Sequence, residues 1–290
     1  MQALAQWAMR GPFQASLAAA LAFALPFLFW FGAAVIALVT LRLGPRTGLN
    51  IVPWAILPAA AWLFIGQDPA PLSVLVISLT MALVLQATVS WERMLLAGAL
   101  VTLILGELVP RLLPDTTAQL VDMGVSLYQQ MNPEMAQELG DDLEAMVRLM
   151  MIGTMASLNF LMAVLATLLG RGWQARLFNP GGFQREFHDF RMGGPITLVC
   201  VMVMAFTPML GVNPALAALT FGLPLVLAGL ALVHGVVARR GMGVVWLVVL
   251  YASVLVLGPS LLLMLIFVAI LDSWLDLRAR ITPKGPSQSS

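Results

Sequence analysis

Charge is what this chain has least of. Of its 290 residues 10% are Asp, Glu, Lys or Arg, and Lys284 is the sole lysine. A water-soluble domain carries about 25% charged residues, because a hydrated surface needs them. Cysteine is equally scarce. Cys200 stands alone in an apolar run, which excludes an internal disulfide and a paired-thiol redox site. The two histidines, His188 and His234, lie on opposite sides of an apolar stretch, and no His-Glu-x-x-His or paired-cysteine pattern occurs, so no metal site is expected. A phosphate loop ending in lysine is also missing. Gly241-Met242-Gly243 lacks its third glycine and opens an apolar run, so no nucleotide, cofactor or nucleic-acid partner is expected of the chain itself. His188, Asp189 and Ser157 carry the letters of a hydrolase triad without its geometry, and no enzymatic role is expected.

What fills the chain is apolar. The hydrophobic share is 60% and the mean hydropathy +0.94, against about 45–50% apolar residues in ordinary domains. Lipid is therefore the expected solvent and the first partner. Arg10 followed by Ala22-Phe23-Ala24 imitates a signal peptide, but the apolar run continues to Leu41, so a retained membrane segment is expected.

Uncharged stretches cover Phe13–Leu41, Leu49–Gln67, Ala70–Ser90, Met94–Gly106, Leu149–Gly170, Met192–Gly211, Val212–Ala238 and Gly241–Leu271. A crossing needs about 20 residues. The first and last stretches exceed that and carry Pro26 and Gly258-Pro259 near their middles, so each is one kinked helix or two short ones.

Loop charge separates the two, because Lys and Arg collect on the cytoplasmic side. If both long stretches turn back, Arg10, Arg42, Arg46, Arg93, Arg171, Arg176, Arg185, Arg191, Arg239, Arg240, Arg278, Arg280 and Lys284 share one side. Only Arg111 and Arg148 face the other. Single crossings spoil this segregation. The expectation is an all-α, polytopic transmembrane helix bundle of about 8–10 membrane segments, one integral membrane domain over residues 1–281, with both termini in the cytoplasm of a bacterial inner-membrane protein. Residues 282–290, rich in Pro, Gly and Ser, are expected to form a disordered tail.

Residues 114–148 form the acidic external segment in this layout, with Asp115, Asp122, Glu134, Glu138, Asp141, Asp142 and Glu144. Leu120, Met123, Leu127, Met131, Met135, Leu139, Leu143 and Met146 recur mostly at three or four. That is an amphipathic helical period, interrupted at Asn132-Pro133, and it predicts two short helices at the outer interface. Residues 171–191 read as a basic cytoplasmic loop.

Polar side chains inside apolar segments are costly and mark candidate binding positions. They are Gln86, Glu107, Asn159 and His234. Glu107 has Arg111 four residues on, the spacing of a helical ion pair. Asn159 lies eleven residues past Arg148, about 16 Å deeper on a helix. Small residues at four-residue spacing, Ala15 with Ala19 and Ala18 with Ala22, permit close packing against a partner helix.

Three pieces of sequence carry a family resemblance: Leu41-Arg42-Leu43-Gly44-Pro45-Arg46-Thr47-Gly48; Ser157-Leu158-Asn159-Phe160 with Asn179-Pro180-Gly181-Gly182-Phe183 and Phe190-Arg191-Met192; and Leu271-Asp272-Ser273-Trp274-Leu275-Asp276-Leu277-Arg278-Ala279-Arg280-Ile281. With the layout of segments they resemble the YybS-like family of predicted bacterial membrane proteins (domain of unknown function 2232), itself distantly similar to the S components of energy-coupling-factor vitamin transporters. The resemblance implies binding or movement of a small molecule, with an ATPase supplied by another subunit and a small-residue face on the first helix for docking. The competing expectation is a scaffold or assembly factor acting through its acidic external and basic cytoplasmic segments.

Overall fold

A computed structural model describes residues 2–280; the tail expected over 282–290 lies outside the described residues. No strand occurs among them. The helices are α1 (Gln2–Ala8), α2 (Pro12–Ala24), α3 (Phe29–Leu43), α4 (Pro45–Ile65), α5 (Ala70–Thr88), α6 (Trp91–Leu112), α7 (Pro114–Met131), α8 (Pro133–Leu139), α9 (Asp142–Phe178), α10 (Gly182–Asp189), α11 (Gly194–Phe206), α12 (Pro214–Arg239), α13 (Val245–Leu257) and α14 (Pro259–Leu275). The all-α polytopic bundle expected from composition is what forms, and five helices are long and apolar enough to cross a membrane.

Proline sets many of the starting points. Pro12, Pro45, Pro114, Pro133, Pro214 and Pro259 each open a helix, where a missing N–H costs nothing and a fixed φ helps. Pro224, by contrast, sits buried inside α12 without ending it. A 3₁₀ turn over Thr207–Leu210, containing Pro208, extends α11.

Both long apolar stretches turn back. A β-carbon added to Gly32 on α3 would lie 3.0 Å from the Ala19 carbonyl oxygen on α2. Continuous helix would hold those two residues about 20 Å apart, so the chain reverses at 25–28, around Pro26 and Phe27. At the other end, the Tyr251 hydroxyl on α13 lies 3.3 Å from Nε2 of His234 on α12. A β-carbon at Gly229, five residues earlier on α12, would lie 2.5 Å from the Leu265 carbonyl oxygen on α14. Tyr251 and Leu265 therefore sit at similar depths, and the reversal falls at Gly258, whose φ of 52° suits glycine.

The buried centre is α3, where Ala33 through Val39 are at most 1% exposed. It is enclosed by α2, α4, α5 and α9. Ala15, Ala18 and Ala19 are buried and Ala22 half-buried on α2, which packs on α3 and α4. The small-residue face expected to receive a partner helix is thus filled largely by the chain's own helices.

Reversal of both stretches sorts the charges. Arg111 and Arg148 lie at one end of the bundle with the acidic helices, and the other described arginines lie at the opposite end with Glu92, Glu186, Asp189, Asp272 and Asp276. We refer to these as the acidic and basic ends.

The acidic segment differs from expectation in one respect. The break at Asn132-Pro133 is present, but α9 begins at Asp142 and runs 37 residues, about 55 Å, so it projects beyond the apolar layer. Against this projection α7 packs through Val121, Gly124, Val125 and Tyr128. The stripe Leu120, Met123, Leu127 and Met131, read from sequence as the face toward the outer interface, is exposed. Residues 171–191 are likewise not a loop: α9 continues to Phe178 and α10 follows.

Candidate functional site

The four polar candidates do not converge. Gln86 is exposed in the last turn of α5 and borders a cleft of about 510 Å³ at the basic end, beside Glu92, Arg171, Gln174, Glu186 and Arg191. Its charged groups each have a partner. Arg171 pairs with Glu186 through two N–H groups and donates a third to Gln174 Oε1 at 2.9 Å. Glu92 accepts the Gly193 N–H at 2.7 Å, and Arg191 reaches Asp276 at 3.4 Å.

Glu107 ties helices together. Its Oε2 accepts from Arg111 at 3.0 Å, the helical pair the spacing predicts, and its Oε1 accepts the Asn213 N–H at 2.9 Å. Asn213, not singled out from sequence, caps α12 by accepting the Leu216 N–H at 3.1 Å and donates to the Leu149 carbonyl at 3.0 Å. The cap and the following proline form a helix-start signature, which is the signal that could have found it.

His234 faces the basic end. Its Nδ1 lies 2.9 Å from the Leu230 carbonyl; a carbonyl only accepts, so Nδ1 carries the proton and Nε2 accepts from Tyr251. Phe187 and His188 of α10 flank the ring, with centroids 5.2 and 6.5 Å away. Burial and neighbouring His234 hold His188 below the usual imidazole pKa. Nearby, Arg278 and Asp272, each 3% exposed at the side chain, pair at 3.6 Å. Burial lowers the Arg278 pKa while Asp272 opposes the shift.

Asn159 is different. It borders a cavity of about 100 Å³ at the acidic end, walled by α5, α6, α7 and α9. Among the described residues its amide has no hydrogen-bond partner. Other polar groups on the wall were missed at the level of sequence, since single Ser and Thr residues carry no pattern. Thr102 and Thr117 donate to their own helices, to the Gly98 and Leu113 carbonyls, each at 2.8 Å. Thr116 donates to Gln67 Oε1 at 3.1 Å. The side chain of Ser73, like that of Asn159, has no hydrogen bond among the described residues. No Asp, Glu, Lys or Arg lines the cavity.

A second cavity, of about 370 Å³, adjoins the first between α4, α5 and α6. The two share Pro69, Ser73, Leu105, Val109 and Leu113 as a common wall. No family model, curated protein or solved structure matches the chain, which leaves its own cavities and charge pattern as the ground for a functional assignment.

Proposed function

We propose that the chain is a multi-pass protein of a bacterial inner membrane that binds a small molecule in the cavity beside Asn159, as a substrate-binding subunit or small transporter. The observation that carries this is the Asn159 amide, which faces a cavity within the apolar layer and has no partner among the described residues. A polar group in such surroundings costs free energy until something hydrogen-bonds it. The resemblance to the YybS-like family, and through it to S components, points the same way and would place an ATPase on another subunit. No catalytic step is part of the proposal.

Two measurements test it. Purified protein should gain thermal stability with one member of a panel of vitamins, nucleosides and lipid headgroups, because a ligand binding only the folded state stabilises it by mass action, about 2.7 kcal/mol at a hundredfold excess over Kd. Asn159→Ala should abolish that gain; a shift that survives the substitution places the ligand elsewhere.

Orientation follows from the charge pattern, with the basic end in the cytoplasm. The native thiol Cys200 is fully buried, so introduced cysteines are read against a silent background. In intact cells a membrane-impermeant maleimide should label Glu134→Cys and leave Arg240→Cys unlabelled until lysis. The reverse pattern overturns the assignment.

A second reading, a scaffold, is favoured by one observation: Leu120, Met123, Leu127 and Met131 stand exposed on an acidic helix. Loss of a co-purifying membrane partner on changing Met123 and Leu127 to Ser, with ligand response intact, would select it.

A further inference from the structure

The two adjoining cavities differ in their walls. The one beside Asn159 is walled by α5, α6, α7 and α9, while the larger is bordered by Phe64, Val76, Leu108 and Leu112, each 39% or more exposed on helices apolar enough to sit in lipid. Its volume, about 370 Å³, falls in the range of ligand pockets, about 300–1,000 Å³. It lies between α4 and α6, and its exposed apolar border suits hydrocarbon as the neighbour.

The chemistry of the walls narrows the occupant. Neither cavity is lined by an ionisable side chain, and Glu107, beside the wall residue Gly106, has its carboxylate turned to Arg111 and the Asn213 N–H. An ionised headgroup would enter without a counter-charge, at a cost of several kcal/mol. A neutral hydroxyl or carbonyl would instead find the Asn159 amide and the Ser73 hydroxyl, the latter on the wall common to both cavities. An alkyl chain would lie over Leu72, Leu105 and Leu108 in the larger one.

Resting on the binding function proposed above, we infer that the ligand is a single-chain amphiphile with an uncharged hydrogen-bonding head, which enters laterally from the bilayer between α4 and α6 and places its head toward Asn159. The head and the tail occupy different cavities, and Leu105 is one of the residues that line both.

The test uses the full chain reconstituted in phosphatidylcholine nanodiscs with a long-chain alcohol bearing a terminal diazirine. On illumination, labelling should be saturable and concentrated on the peptides covering residues 63–113. Unlabelled alcohol of the same length should compete; the matching alkyl carboxylate, alkylammonium and a short-chain alcohol should not. Leu105→Trp, which fills the common wall, should reduce saturable labelling about tenfold, a loss of about 1.4 kcal/mol in binding. Labelling that is unsaturable, that spreads equally over the lipid-exposed α13, or that the charged analogues suppress as well as the alcohol overturns the inference. The competition series on the unaltered protein decides even if the tryptophan variant does not fold. A water-soluble ligand that stabilises the protein without saturable alcohol labelling would retain the binding function and remove this inference; absence of both responses removes both.

Discussion

Arg278→Met is expected to destabilise the protein by about 3 kcal/mol or more, whereas Arg278→Met combined with Asp272→Leu should recover most of that loss. The guanidinium lies among α10, α12 and α14, where it donates to the His188 carbonyl at 3.0 Å and the Ala228 carbonyl at 3.5 Å and faces the Asp272 carboxylate at 3.6 Å. Removing one member of a buried pair leaves the other charge without compensation, which costs about 3–5 kcal/mol, while replacing both with apolar groups of similar size is often close to neutral. Here the recovery will be incomplete, because the His188 carbonyl and the Leu277 N–H, which donates to Asp272 Oδ1 at 2.8 Å, lose partners at about 1 kcal/mol each. Equilibrium unfolding of the two variants and the parent in mixed detergent gives the comparison. Equal losses in the single and double variants would show that the Arg278 hydrogen bonds, and not the ion pair, hold this corner. The exposed pair of Arg148 and Glu144 serves as reference, since a helical surface pair contributes only about 0.3–0.5 kcal/mol.

A second large effect is expected from one methyl group at Gly170. A β-carbon there would lie 2.7 Å from the Ala34 carbonyl oxygen and 3.0 Å from the Leu38 nitrogen. These are backbone atoms of α3, the most buried helix, and cannot swing aside. Gly170→Ala must separate α3 from α9, and overpacking of this kind costs about 1–3 kcal/mol. Gly172, two residues along the same helix, has nothing within 4 Å of the equivalent position. Gly172→Ala should instead stabilise by up to about 1 kcal/mol through helix propensity. The opposite signs are the prediction, read from unfolding midpoints of the two variants. A loss of stability in both, or in neither, would mean that the close approach of α3 and α9 is not what fixes their packing.

Much of the architecture was legible because it depends on one-dimensional quantities. Run lengths and the placement of arginine favour reversals near Pro26 and Gly258 over single kinked crossings, since each is a question of which solvent a segment of given length can reach. The extension of α9 was not legible: Arg148, Arg171 and Arg176 interrupt the apolar run, although a charged residue ends a hydrophobic stretch without ending a helix. The contact of α7 with α9 was not legible for a related reason. Periodicity weights the large apolar side chains Leu120, Met123, Leu127 and Met131, whereas the contact with α9 uses the neighbouring face, where Gly124 allows close approach.

The candidate binding residues were found by type, and type alone cannot say where a side chain faces. Gln86, Glu107, Asn159 and His234 look alike as polar residues in apolar runs, yet only Asn159 borders the cavity at the acidic end. Glu107 is occupied by Arg111 and the Asn213 N–H, and His234 by the Leu230 carbonyl and Tyr251. Ser73, Thr102, Thr116 and Thr117 complete the wall through contacts between distant parts of the chain, which no local pattern encodes.

The reversal points have a consequence for the surrounding bilayer. Helices α2 and α13 comprise 13 residues each, about 20 Å of rise, less than the roughly 30 Å of a hydrocarbon core. Where these hairpins stop, the distal leaflet has to dip toward them, and its acyl chains shorten or splay at a cost of fractions of a kcal/mol per Å. The protein thus sits in a dimple of its own making, and it will partition toward thin, short-chained membrane.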